Sequence, residues 1–227
     1  MKKLLFSIIF VYFVVVFMIH FIPAFGNVST DNNVGLIWER TNLPNTVTAV
    51  YLLTRVYDTV FEVLLFSLIV ISVGFLLKYE PKSEISEQTV FLTSKVFSGG
   101  IMAISIVIFL NVVLRGHITP GGGFAGGVIL ASGVVLYGIC SNFIKALAHY
   151  DVYKIKFFEA MSFVTIISIM TMVSIFPDVV LLFTRPPEAY SILSGGIIPL
   201  INLLIGFKVY AGSWKLTSEF VVRRGTL

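Results

Sequence analysis

Arg115-Gly116-His117-Ile118-Thr119-Pro120-Gly121-Gly122-Gly123-Phe124-Ala125-Gly126-Gly127 separates two of the most apolar stretches of the chain, and its reading decides the fold. Glycine loses the most conformational entropy in a helix interior, and proline removes a backbone donor there. So dense a cluster therefore reads as shaped backbone rather than as helix. On either side, residues 96–114 and 124–144 are apolar and long enough to cross the hydrocarbon, which takes about 20 such residues as a helix. The stretch is a polar turn joining two membrane-spanning helices.

The rest of the chain has the same character. It is 57% hydrophobic and 12% charged, far more apolar than the roughly 45–50% usual for soluble domains. This composition specifies an all-α integral membrane protein. Hydropathy places six transmembrane helices near 4–22, 57–77, 96–114, 124–144, 157–177 and 192–212. The first has the charged start and small-residue end of a signal peptide, in Lys2, Lys3 and Ala24-Phe25-Gly26, but its apolar core is too long and an uncleaved helix is expected.

With the N-terminus inside, Lys2, Lys3, Lys78, Lys82, Lys95, Lys145, Lys154, Lys156, Lys215, Arg223 and Arg224 fall on cytoplasmic segments. Arg40, Arg55, Arg115 and Arg185 fall outside. That bias orients the chain with both termini cytoplasmic in a cell membrane. It also accounts for the net charge of +4 by topology, with no nucleic-acid partner implied. One seam is visible. Residues 81–95 form a hydrophilic cytoplasmic linker between a two-helix unit, 1–80, and a four-helix unit, 96–227. In the long outer loop, Asn45 is placed to cap a short interfacial helix through Thr54, with Val47, Val50 and Leu53 on one face.

Ionisable residues inside spans carry the functional clue, because a charge near the bilayer centre costs at least ~2.5 kcal/mol. Asp58 and Glu62 are four residues apart and share one helix face near the outer end of the second span. Like charges so placed repel, so either a carboxyl stays protonated or a cation sits between them. The plainer alternative puts Asp58 at the helix start in water and pairs Glu62 with Arg55 or a neighbouring subunit. His20 and His117 lie at the same outer level, where an imidazole of ordinary pKa near ~6.5 can relay protons. Toward the cytoplasm, Glu159 and Lys208 have matching depths and form a candidate ion pair; snorkelling of Lys208 to the headgroups is the alternative.

Small residues suggest close helix packing at Gly126, Gly127 and Ala131, and at Gly99, Gly100 and Ala103. In the last span, Gly195, Gly196 and Pro199 mark either a discontinuous helix with Asn202 as a polar ligand or a simple kink. A single cysteine, Cys140, forms no disulfide framework, and neither an iron–sulfur nor a haem ligand set is present in the sequence. No cofactor is expected in this chain. A phosphate cradle at the glycine turn lacks the lysine and hydroxyl that complete one, and no hydrolase motif is found.

The run from His117 through Thr119, Pro120, Gly121, Gly122, Gly123 and Phe124 to Gly126-Gly127 closely resembles the signature of the B subunit of Mrp-type multisubunit Na+/H+ antiporters, and of its relatives in membrane-bound hydrogenases and sulfane sulfur reductases. The resemblance covers roughly residues 90–212; Ala125 departs from the glutamine of many members. Asn45-Thr46-Val47-Thr48-Ala49-Val50 followed by Tyr57-Asp58-Thr59-Val60-Phe61-Glu62 resembles the C-terminal portion of the antiporter A subunit, with Phe61 in place of a glycine. What the resemblance implies is a non-catalytic membrane subunit, partnered with other antiporter subunits, that contributes to moving Na+ against H+. Asp58, Glu62, His20 and His117 would line the outer end of the ion path. The rival reading is a scaffold that seals and positions the ion-translocating subunits without touching ions.

Overall fold

The computed structural model describes residues 43–81, 91–152, 155–176 and 195–224, with isolated positions between 11 and 41. Every regular element among the described residues is helical. A short helix α1 (Thr46–Ala49) runs into a π turn (Val50–Thr54), and α2 (Val56–Leu77) follows after Arg55. Then come α3 (Leu92–Leu114), α4 (Gly123–Cys140), α5 (Phe143–Val152), α6 (Ile155–Ile175) and α7 (Ile198–Arg224).

Four of these, α2, α3, α4 and α6, are long and apolar enough to cross a membrane. Their outward faces carry large apolar side chains such as Leu68, Ile71, Phe97 and Val107, as a lipid-facing surface requires. α7 is different. It is the most polar of the long helices, with Asn202, Lys208 and Lys215, because it is the central one and packs against α2, α3, α4 and α6. Expected spans 57–77, 96–114, 124–144 and 157–177 coincide with observed helices to within a few residues, whereas 4–22 lies outside the described residues. The span expected at 192–212 instead begins at Ile198 and runs to Arg224. Pro199 sits in its first turn, where a missing N–H leaves no bond unmade, so it starts the helix rather than kinking it. The amphipathic α5 in the connection after α4 has no counterpart in the hydropathy reading; it packs Phe143 and Tyr150 into a small cluster with Trp214 and Val221.

The main core joins the segment from Leu43 through α2 to α6 and α7 through Leu43, Leu52, Val63, Ile166, Met170 and Ile205, among others. Close approach of α4 to α7 depends on Gly127, where a Cβ would lie 2.5 Å from the Gly206 carbonyl. Gly99 and Gly100 have open space where a Cβ would stand, so neither marks a close helix approach among the described residues. At the other end of α2, Arg223 of α7 donates to the carbonyls of Lys78 and Glu80, both at 3.1 Å, satisfying acceptors that a helix end leaves open.

Candidate functional site

Between α3 and α4 the chain turns within residues 115–122. Arg115 caps α3, and its carbonyl accepts from Ile118 N, Thr119 N and the Thr119 hydroxyl, at 2.8, 2.9 and 3.2 Å. After Pro120, Gly121 (φ 152°) and Gly122 (φ 140°) take backbone conformations that side chains disfavour. Space is equally restrictive at Gly122, where a Cβ would meet the Tyr51 hydroxyl at 2.8 Å.

Three elements hold this turn. Asn45, the N-cap of α1, accepts from Thr48 N at 3.3 Å and donates its side-chain amide to the carbonyls of Gly116 (2.8 Å) and Thr119 (2.9 Å). Its backbone N–H donates to the His117 carbonyl at 3.0 Å. The Thr48 hydroxyl donates to Gly116 O at 2.7 Å and lies 3.1 Å from the Tyr51 hydroxyl. From α7, Asn202 Oδ1 accepts from Gly123 N at 3.3 Å, and its Nδ2 is buried against Gly116. The π turn that carries Tyr51 exposes the Tyr51 carbonyl, and the Thr59 hydroxyl satisfies it at 2.7 Å. Such an insertion of one residue per turn is common at functional positions.

His117 is fully buried in this layer, its ring against Gly195. Phe124, at the start of α4, packs edge-to-face on Phe66 of α2 at 6.0 Å, one turn beyond Glu62. Asp58 lies in the first turn of α2, favourable for a negative charge, and pairs with Arg55 at 2.7 Å while half-exposed. Glu62 is exposed on the flank of the same helix, and its charge acts on Tyr51. Burial foremost, with that charge, raises the Tyr51 phenol above its ordinary pKa. Tyr51 thus touches the glycine turn at Gly122 and feels the charge of Glu62, while His117 belongs to the same turn. His20 lies outside the described residues.

Further along the bundle, Lys208 of α7 and Glu159 of α6 form a buried ion pair, with the ammonium 5.6 Å from the Phe163 ring centroid. Beside them opens a cavity of about 430 Å3 between α2, α6 and α7. Its further lysines, Lys156 and Lys215, entered the sequence reading only as cytoplasmic charges. Their spacing was the available signal: Lys156 and Glu159 are three apart, and Lys208 and Lys215 seven apart, each pair on one helix face. Thr48 and Tyr51 escaped notice because nothing local marks a hydroxyl that bonds a turn 68 residues away.

Comparison with known proteins gives three findings. Residues 93–215 match the family described as a domain related to the MnhB subunit of Na+/H+ antiporter. An uncharacterized protein of Methanocaldococcus jannaschii is 28% identical over 201 residues, 75% of this chain and 74% of that protein. A chain in the structure of the membrane-bound sulfane sulfur reductase, an archaeal respiratory membrane complex, superposes with a TM-score of 0.61 over 97% of this chain and 98% of that one, at 20% identity. The last likeness is one of fold.

Proposed function

This chain belongs to the family of domains related to the MnhB subunit of Na+/H+ antiporter, and on that premise we propose that it is a membrane subunit of a multisubunit Mrp-type cation/proton antiporter module. In this reading it spans the cell membrane six times with both termini cytoplasmic. Residues 1–80 form an A-subunit-like module and 96–227 the B-like domain, joined by the linker 81–95. Its partners are the other membrane subunits of the module, and Na+ and H+ are the transported ions. The fold it shares with a chain of a respiratory complex supports coupling of such a module to a redox enzyme.

The observation that carries the reading is Glu62. It is the one charged residue of α2 beyond the first turn and stands exposed, six residues or about 9 Å from the start of the helix. A carboxylate there is costly against lipid, so a polar partner surface or water must cover it. With Asp58 one turn away it presents hard oxygen ligands for which Na+ and H+ compete. Tyr51 then connects this acidic pair to the His117 layer, and His20 belongs to the proposed path on the sequence reading alone. The test is Na+-dependent proton movement by the whole complex in vesicles. Glu62→Gln and Asp58→Asn should assemble normally and lose coupling.

One observation favours the scaffold reading. The carbonyls of Gly116, His117 and Thr119 are already engaged by Asn45 and Thr48, which leaves the turn rigid and with fewer oxygens to offer a cation. Full transport in both variants, with assembly intact, would establish it.

A further inference from the structure

The cavity between α2, α6 and α7 is amphipathic. Lys156 and Glu159 come from one face of α6, Lys208 and Lys215 from one face of α7, and Leu64, Leu68 and Ile71 from α2. Three lysines against one carboxylate leave the lining with positive charge in excess. Glu159 balances Lys208 in the deeper layer. Lys215 lies seven residues, or about 10 Å, further along α7, so the excess is concentrated at one end. The other walls are apolar and open onto the outer surface of the bundle: Leu68 is 60% exposed and Ile71 63%.

Water alone does not suit such a space, because most of its lining offers no hydrogen bond. A charged head with an apolar tail suits it at both ends. Basic pockets between membrane helices take anionic headgroups through exactly these two contributions, charge at the rim and hydrocarbon along the wall. We propose that this crevice seats an anionic phospholipid, its phosphodiester beside Lys156 and Lys215 and an acyl chain running out along Leu64, Leu68 and Ile71 of α2. The volume of about 430 Å3 holds a headgroup and the first part of a chain, the remainder lying in the bilayer. Such a lipid would bridge the N-terminal unit to α6 and α7 at the level of the Glu159–Lys208 pair. The inference needs only that these helices lie in a membrane; it does not depend on ion transport.

The experiment uses the full chain in nanodiscs of phosphatidylcholine with phosphatidylglycerol, released into detergent for native mass spectrometry. The wild type should retain phosphatidylglycerol in preference to phosphatidylcholine. Lys156→Gln with Lys215→Gln should lower that preference roughly tenfold or more, given what each lysine contributes near an anionic headgroup. Ser67→Phe fills the crevice without changing charge and should displace the lipid too; Ala160→Leu does the same from the facing wall if the first variant folds poorly. Retention unchanged in the lysine variant overturns the proposal. So does a loss confined to the lysine variant, which would reflect surface charge alone, or a polypeptide segment of another subunit occupying the crevice in the purified complex.

Discussion

Thr48 gives its hydroxyl proton to the carbonyl of Gly116 across 2.7 Å, so its oxygen is left only to accept from the Tyr51 phenol 3.1 Å away. That order fixes a one-way chain, Tyr51 to Thr48 to Gly116. It binds the short helix α1 to the glycine turn, and with Asn45 it ties this segment to the connection between α3 and α4.

Asn45 should be the most sensitive position of that attachment. Asn45→Ala removes the α1 cap and leaves two carbonyls without their donor, a loss of about 2–3 kcal/mol. Asn45→Asp retains the acceptor for Thr48 N but turns oxygens toward Gly116 and Thr119. It should be no more stable than the alanine variant. Denaturation of the purified chain in detergent measures both; recovery in the aspartate variant would mean that the cap, and not the donated bonds, matters.

Gly122 is constrained twice, by its φ of 140° and by the Tyr51 hydroxyl 2.8 Å from where a Cβ would stand. Gly122→Ala should therefore cost about 1–3 kcal/mol in backbone strain alone, with the steric contact in addition. Tyr51→Phe removes the contacted oxygen but not the strain. The double variant should recover part of the loss, and complete recovery would show that backbone conformation contributes nothing.

Tyr51 also predicts an alkaline effect. Its phenol is raised by burial, then by the charge of Glu62, so the folded protein holds this proton more tightly than the unfolded chain. Above the unfolded pKa near ~10 the unfolded state binds fewer protons, and stability falls as pH rises. The contribution is fully present below that pH. Wild type should lose stability relative to Tyr51→Phe as the pH rises above about 10; parallel curves would contradict this.

Much of this arrangement was legible in local sequence. Pro120 and the following glycines could only be a turn, and Asn45 before a short amphipathic stretch could be read as a cap, because turn and cap chemistry is local. Asp58 and Glu62 were placed on one face by spacing alone. What stayed hidden depends on which helices become neighbours. Nothing near Asn202 shows that its oxygen would meet Gly123 N, 79 residues away. Val47, Val50 and Leu53 were read as one face of the short helix, but the positions it turns into the protein, Thr48, Ala49 and Leu52, could not be told apart from the rest by local pattern, and Val47 is 67% exposed. The polarity of α7 similarly made sense only once it was seen to be central.

Arg55 and Asp58 pair in the open, at 65% and 50% side-chain exposure. Such a bond is worth only about 0–1 kcal/mol. Arg55→Ala and Asp58→Asn should both leave unfolding nearly unchanged. Any effect of Asp58→Asn would then appear in transport by the complex rather than in stability, and a large loss of stability would remove Asp58 from the ion path and make it a structural residue.

Lys208 and Glu159 should behave oppositely, because their pair is buried between α7 and α6 with side chains only 7% and 12% exposed. Removing one partner leaves the other charge uncompensated in an apolar setting, which costs about 3–5 kcal/mol. Lys208→Met or Glu159→Gln alone should sharply reduce the yield of folded chain. The double variant Lys208→Met with Glu159→Gln carries no net buried charge, and most of the loss should return, since replacing a buried ion pair as a whole is often nearly neutral. A double-mutant cycle on denaturation measures this coupling directly. If the two single losses simply add, each charge reaches water or headgroups independently, and the pair does not hold α6 to α7.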